Sequence, residues 1–347
     1  MGIKDVYNTN KLFHYRDDLK KIANGEIVPP AKLQIDLTNK CNNRCVWCFY
    51  DIHNISEFSR KDSLSEEAVN ATLESFKKIG GRSIEWTGGG EPTVSPIFLS
   101  VVKKAESLGL RQSLVTNGKL LGGDIADAVT EFDWVRISLN SATQEMYKKQ
   151  HGNDSYYKVI DNICAFALIK NRDCVFGISM IADNVNYVDM YNMTEAAYYW
   201  GADNVRIGLA MTPGNDKIFS DWDKVDTLMR QCKTLENNKF RVFTMNNRID
   251  NLAQKTGGGR CYYHHLAVSL GGNGAVYPCC HFKYLPQYNF GNVNEESFED
   301  IWNGEKRRKF IETTGEDCKA SCWMTDKNEL ADYIVKEPED IPHLAFP

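Results

Sequence analysis

Residues 32–49 read KLQIDLTNKCNNRCVWCF. Leu33, Ile35 and Leu37 alternate with polar residues, which predicts a strand over Lys32–Thr38. That strand runs straight into Cys41, Cys45 and Cys48, a C-x3-C-x2-C loop. The order of strand, functional loop, then helix recurs downstream. A helix is expected over Ser65–Ile79, with Ala68, Leu73, Phe76 and Ile79 at helical spacing and Ser63 or Ser65 as cap. Strand Arg82–Trp86 follows and ends in a glycine run. Helix Ile97–Leu108 leads to strand Gln112–Thr116, which stops at the turn signal Asn117-Gly118.

The alternation continues with helix Ile125–Phe132, strand Trp134–Leu139, helix Tyr157–Lys170, strand Val175–Ile181, helix Met190–Trp200, strand Asn204–Leu209 and helix Trp222–Leu235. Six β/α repeats with short connections imply a parallel sheet with helices outside, curled into a partial or full barrel. The chemistry of such a barrel belongs at the C-terminal strand ends. Cys41–Cys48, Gly88–Glu91, Asn117, and Asn140 with Ser141 follow strands one to four in that order.

The pattern changes near Gly257-Gly258-Gly259. Beyond it we expect a hairpin over Leu266–Tyr277, turning at Gly271, Gly272 and Gly274, then a helix over Glu296–Thr313. The expected organisation is an N-terminal extension over 1–30, a barrel over 31–240, and a small α+β region over 241–347.

The length of 347 residues suits one large barrel with an appendage, and 42% hydrophobic residues supply a sizeable core. A net charge of −5 argues against strong duplex nucleic-acid binding. No apolar run approaches the roughly 20 residues that span a bilayer, and Met1–Arg16 lacks the apolar centre of a signal peptide. A cytoplasmic location is expected. Eleven cysteines in a long chain without an export signal point to metal binding, not disulfides. Cys164, Cys174 and Cys232 stand alone and read as buried thiols.

Three thiolates on one short loop can hold three corners of a cubane, whereas full protein ligation needs four. The remaining iron then has an open position. The simpler alternative is a zinc knuckle, completed by a fourth ligand such as His53.

This loop, with Trp47 just before its third cysteine, resembles the signature of the radical S-adenosylmethionine (SAM) superfamily. The resemblance implies that SAM chelates the fourth iron of a [4Fe–4S] cluster, and that Trp47 or Phe49 packs near its adenine. Thr87-Gly-Gly-Gly-Glu-Pro92 resembles the family segment that meets the SAM amino group, which implies contacts from Gly89, Gly90 and Glu91. Ser138, Asn140 and Ser141 fall where the family often places ribose or carboxylate contacts, and Asn117, at the end of strand three, is a further candidate for the cofactor. Many relatives carry a carboxylate-clamping arginine about a dozen residues later. Here Lys148, Lys149 and His151 stand there, so the clamp is unassigned.

Cys261, Gly274, Cys279, then Cys318 and Cys322 resemble the SPASM/twitch extension of that superfamily, as do Phe290–Val293 and Glu296–Trp302. With five cysteines in place of about seven, the shortened form with one auxiliary [4Fe–4S] cluster is implied, held by Cys261, Cys279, Cys318 and Cys322. Cys280 is left as a spare or alternate ligand; if the hairpin strand continues through it, its side chain points to the face opposite Cys279. A zinc site formed by the same four cysteines is the chemical alternative. His264, His265 and His281 read as hydrogen-bond donors to sulfur or packed surface groups, not ligands.

The resemblance implies an enzyme that reductively cleaves SAM and takes a hydrogen atom from a substrate, with flavodoxin or ferredoxin as electron donor. About 30 residues precede the first strand, too few for a peptide-recognition domain, which favours oxidation, epimerisation or rearrangement of a small-molecule or nucleoside-type substrate. A peptide- or protein-modifying enzyme is the alternative. A non-catalytic zinc scaffold is the alternative from another class.

Overall fold

The computed structural model describes residues 7–210, 221–244, 260–317, 322, 324–337 and 339. Ten strands form one sheet: β1 (Lys32–Asp36), β2 (Ser83–Thr87), β3 (Arg111–Thr116), β4 (Trp134–Ser138), β5 (Val175–Ala182), β6 (Asn204–Leu209), β7 (Arg241–Thr244), β8 (Ala267–Leu270), β9 (Ala275–Tyr277) and β10 (Gly291–Asn292). Their spatial order is β10-β9-β8-β1-β2-β3-β4-β5-β6-β7. Strands β1 to β7 are parallel neighbours in chain order. The chain therefore adopts the expected partial (β/α) barrel, with one strand more than the six expected.

The alternation in β1 is realised. Leu33 and Ile35 are fully buried in the apolar core, while Lys32 and Gln34 both bond Glu85 on β2. The core is the layer between the sheet and α3 (Glu66–Lys78), α4 (Phe98–Ser107), α5 (Asp124–Ala128), α7 (Tyr156–Ile169), α8 (Met190–Tyr199) and α9 (Trp222–Lys233). Ser65 caps α3 by accepting from the Ala68 N–H, and Val69, Leu73 and Phe76 face inward from it.

Three local departures have physical causes. A short α2 (Phe49–Ile52) begins immediately after Cys48, and an additional helix, α6 (Gln144–His151), is capped by Thr143 and ends at left-handed Gly152. The helix expected over Glu296–Thr313 is divided at Gly304 into α11 (Phe298–Asn303) and α12 (Glu305–Asp317). The expected hairpin, β8 and β9, is preceded by α10 (Tyr263–Leu266) and adds to the barrel sheet, β8 pairing parallel with β1. The first strand of an open barrel presents an unpaired edge, and β8 covers it.

An early and a late helix pack together. α1 (Arg16–Ala23) and α13 (Thr325–Val335) share a second apolar cluster of Leu19, Ile22, Val28, Tyr262, Leu266, Ala331 and Ile334. None of the described helices is long and apolar enough to cross a membrane.

Candidate active site

The cysteine loop follows β1 and is held from three sides. From α6, the Gln150 and His151 carbonyls accept from the Val46 and Arg44 N–H groups at 3.0 Å each. Gly152 makes this approach possible, because a Cβ there would sit 2.6 Å from the Arg44 carbonyl oxygen. From the end of β3, Asn117 Nδ2 donates to Asn42 Oδ1 at 2.6 Å, and Lys119 Nζ donates to the Asn42 carbonyl at 2.8 Å. From the end of β5, the Asp183 carboxylate accepts from the Trp47 indole N–H and from Gln150.

Each sulfur has its own hydrogen-bonding neighbour. The Asn43 N–H donates to Cys41 Sγ at 3.4 Å, His151 Nδ1 lies 3.3 Å from Cys45 Sγ, and Arg60 Nη2 donates to Cys48 Sγ at 3.6 Å. His151 Nε2 accepts from the Asn140 N–H at 3.2 Å. Burial holds this imidazole neutral by lowering its pKa to about 4, so its single proton is on Nδ1, facing Cys45. Burial, then the neighbouring thiols, push Cys45 up to about 12. The Cys45 thiol is thus protonated in the metal-free chain, and metal binding must displace its proton. Three thiols on one loop, each facing a donor, fit a thiolate-ligated anionic cluster.

Glu91 is 3% exposed. Its Oε1 accepts from the Thr93 N–H (3.2 Å), Thr93 Oγ1 (2.7 Å) and Thr116 Oγ1 (2.6 Å), and its Oε2 accepts from the Asn117 N–H (2.7 Å). Burial raises its pKa, against those hydrogen bonds. The glycine run has a structural cause. A Cβ on Gly90 would lie 2.0 Å from the Lys40 carbonyl oxygen, and one on Gly89 would lie 2.2 Å from Asn39 Oδ1. The run packs against the segment that enters the cysteine loop, and Glu91 N–H donates to the Lys40 carbonyl at 2.9 Å.

At the ends of β4 and β5, Asn140 Oδ1 accepts from the Ile181 N–H at 2.9 Å. Its carbonyl accepts from Asn186 Nδ2 at 2.9 Å. Ser141 is fully buried, and its Oγ has no partner among the described residues. Ser138 is part-buried at the last position of β4, and Phe49, the first residue of α2, packs on His53 at 4.4 Å between ring centroids. Sequence reasoning does not single out Asp183, His151, Gln150 or Asn43 as functional residues. They lie far from the cysteines in the chain or carry no motif. The position of His151, in the stretch where the resemblance leads to the expectation of an arginine, is the one available signal.

In the C-terminal region, Cys279 interacts electrostatically with Cys280, then with Cys261 and Cys322, while Cys280 also sits among Lys283, Lys32 and Glu85. The two neighbours thus face different surroundings, although β9 has already ended at Tyr277. Asn328 Nδ2 donates to Cys261 Sγ at 3.6 Å, and the Met324 N–H donates to Cys322 Sγ at 3.3 Å. Cys318 lies outside the described residues. His264 and His265 are buried and stacked at 4.1 Å, and burial lowers both pKa values. Beside Cys280, Lys283 Nζ donates to both Asp36 oxygens at 2.8 and 2.7 Å, and Tyr284 OH is 3.0 Å from Asp36 Oδ2.

Residues 35–196 match the radical SAM superfamily, and residues 261–323 match the SPASM iron–sulfur cluster-binding domain. The tungsten-containing aldehyde ferredoxin oxidoreductase cofactor-modifying protein of Pyrococcus furiosus is 22% identical over 326 residues, covering 87% of this chain and 89% of that protein. A probable GTP 3′,8-cyclase of Thermococcus kodakarensis is 32% identical over 137 residues, 39% of this chain; the match spans only 43% of that cyclase. Streptococcus suis SuiB, crystallised with its precursor peptide SuiA, has the same fold, with a TM-score of 0.65 and 16% identity over 89% of this chain and 73% of SuiB. With its cysteine loop at the C-terminal end of β1 and the two domain matches along its length, the chain is a radical SAM superfamily enzyme with a SPASM-type C-terminal iron–sulfur domain.

Proposed function

We propose that the enzyme acts on a small-molecule or nucleoside-type substrate held on the concave face of the barrel. Cys41, Cys45 and Cys48 hold the SAM-binding [4Fe–4S] cluster, and Cys261, Cys279, Cys318 and Cys322 hold one auxiliary [4Fe–4S] cluster, with Cys280 outside that set. When bound, cluster and SAM supply one electron and a 5′-deoxyadenosyl radical, which takes a hydrogen atom from the substrate. The observation that carries this reading is the cysteine loop itself: three thiols beyond the C-terminal end of β1, each facing a donor.

The chain's own groups have distinct tasks. Trp47, pinned by Asp183, and Phe49 offer rings to the adenine. Gly89, Gly90 and Glu91 present the loop edge to the SAM amino group, while Asn117, Ser138, Asn140 and Ser141 surround the ribose and carboxylate. Lys119, whose Nζ donates to the Asn42 carbonyl of the cysteine loop at 2.8 Å, offers the carboxylate a cation. With Cys261, Cys279, Cys318 and Cys322 all bound to it, the auxiliary cluster would have no open iron for substrate and would serve as an electron relay or structural staple. A flavodoxin or ferredoxin supplies the first electron, in a cytoplasm that keeps the thiols reduced.

The test is anaerobic reconstitution with SAM and dithionite, following deuterium from candidate substrates into 5′-deoxyadenosine. Transfer from a small molecule supports the reading. Transfer only from a peptide refutes the substrate class, and absence of 5′-deoxyadenosine refutes the cluster assignment.

A further inference from the structure

We propose that the concave face carries a binding site for a di- or triphosphate group of the substrate, formed by Lys32, Arg136, Arg206 and Lys327. This rests on the reading above that the concave face holds the substrate, and it names that substrate's class: a phosphorylated small molecule.

The four cations belong to one connected cluster. Lys32 opens β1, Arg136 is the middle residue of β4, Arg206 is the third residue of β6, and Lys327 comes from α13. Lys32 Nζ and Lys327 Nζ both approach the Tyr263 ring, at 5.9 and 5.6 Å from its centroid. Arg136 Nη1 donates to Tyr7 OH at 3.2 Å, and the Arg206 guanidinium lies 5.9 Å from the Tyr7 ring. Glu85 ties the two halves together. It bonds Lys32 at 2.7 Å and interacts electrostatically with Arg136.

Two of the cations, Arg136 and Lys327, carry the uncompensated charge among the described residues. Among the described residues, Glu85 pairs with Lys32, while neither Arg136 nor Lys327 has a carboxylate within ion-pair distance. Arg136 Nε is buried and has no acceptor among the described residues. Burial lowers the pKa of Lys327, and Lys32, Lys11 and Arg206 lower it further against Glu85. Gathering cations inside a barrel costs free energy unless an anion joins them. Guanidinium groups on two strands suit phosphoryl oxygens, which they bond in pairs. The site is accessible: the Lys32 side chain keeps 28% of its surface exposed, and Gln34, Arg136, Arg206 and Lys327 are also part-exposed.

The position fits a reaction at the other end of the face. Lys32 and Asp36 bound β1, and a strand rises about 3.3 Å per residue, so roughly 13 Å separates the level of Lys32 from the end where the cysteine loop begins. An extended molecule with its phosphates at the cation cluster therefore places its reacting carbon near the SAM end. Two or more phosphoryl charges match Arg136 and Lys327 together, and a single carboxylate does not.

The experiment is calorimetric titration of inorganic triphosphate into the reconstituted, SAM-loaded enzyme, with pyrophosphate, citrate and a hexaglutamate peptide as comparators. Triphosphate and pyrophosphate are expected to bind at least tenfold more tightly than citrate or the peptide. Arg136→Gln and Arg206→Gln should each weaken triphosphate binding at least tenfold, with Arg136→Lys recovering part of the loss. Arg111→Gln, which removes a 75%-exposed charge paired with Asp133, should leave binding unchanged. If a glutamine variant fails to assemble its clusters, the corresponding lysine variant carries the test, with a loss of at least threefold expected because the paired hydrogen bonds go. No triphosphate binding to the intact enzyme overturns the proposal. So does undiminished binding to the assembled Arg136→Gln/Arg206→Gln or Arg136→Lys/Arg206→Lys enzyme, or binding of citrate or the peptide as tight as that of triphosphate. 5′-Deoxyadenosine formation is measured in parallel. Cleavage without triphosphate binding defeats only this inference, while triphosphate binding without cleavage defeats the radical reading and leaves the anion site standing.

Discussion

Glu91→Gln tests whether the glutamate acts on the cofactor alone or first on the protein. The native carboxylate accepts four hydrogen bonds, three at Oε1 and one at Oε2. A glutamine can turn its carbonyl to the three-donor side, which leaves its NH2 group opposite the Asn117 N–H. A buried backbone donor then loses its acceptor, and the charge assistance to the other three bonds disappears. Losing a hydrogen bond to a charged group costs about 1.5–3 kcal/mol, or roughly one to two decades in an equilibrium constant. In the reconstituted enzyme without SAM, amide exchange in the segment from Leu114 to Leu120 should therefore quicken by about ten- to a hundredfold. The SAM dissociation constant should rise over a similar range, because the same loop presents the SAM contacts. Unchanged exchange together with weakened SAM binding would refute the clasp and leave Glu91 as a pure ligand. Unchanged SAM affinity would refute the ligand role.

Other expectations are as concrete. His151→Phe removes the donor facing Cys45 Sγ and should shift the reduction potential of the SAM cluster to more negative values in an EPR-monitored titration, while His151→Gln restores part of the shift. Replacing Cys41, Cys45 and Cys48 together by alanine should abolish reductive SAM cleavage and spare the auxiliary cluster, as read by iron content and 5′-deoxyadenosine. Cys279→Ala should lose the auxiliary cluster in Mössbauer spectra, whereas Cys280→Ala should keep it; the reverse result sinks the ligand set. Burial alone would raise the Glu85 pKa, but Lys32, their hydrogen bond and Arg136 outweigh it and hold the group at about 2 against the usual 4.5. Its folded-state pKa is depressed, so its contribution to stability is present above 4.5 and lost as pH falls towards 2, an effect on the order of 3 kcal/mol that Glu85→Gln should flatten in acid unfolding curves.

Much of this architecture was legible because strand periodicity and cysteine spacing are local signals. The six expected strands lie within a residue or two of their expected bounds, since alternations such as Leu33–Ile35 against Gln34–Asp36 fix both the strand and its two faces. The joining of β8 to β1 was not legible, because strand pairing across 235 positions leaves no trace in either segment (Gln34 with Ser269, for example, at 3.0 Å). The glycine run was located correctly, but its cause differs in part from the expected one. Gly89 and Gly90 are required by the chain entering the cysteine loop, whatever they also do for a ligand. His151 and Asp183 act at the loop from 106 and 136 positions away, a distance over which no motif extends.

These remote residues explain how a flexible-looking loop becomes a site. Cysteine, asparagine and arginine in sequence offer little to pack, so the loop's geometry must be imposed from outside. β3 supplies Asn117 and Lys119, α6 supplies two carbonyls and an imidazole, and β5 supplies the carboxylate that fixes Trp47. Asn140 and Asn186 then link those supports to one another through Ile181 and Asp183. A network of this kind holds its members within narrow limits only when each polar group is satisfied. Cutting it at Asp183 should therefore loosen Trp47, Gln150 and the turn through Asn186 together. For Asp183→Ala, the expected signature is faster exchange at both the cysteine loop and the end of β5, with loss of SAM affinity although Asp183 is not among the groups assigned to SAM. A change confined to the Asp183–Asn186 turn would show that the loop keeps its shape by other means.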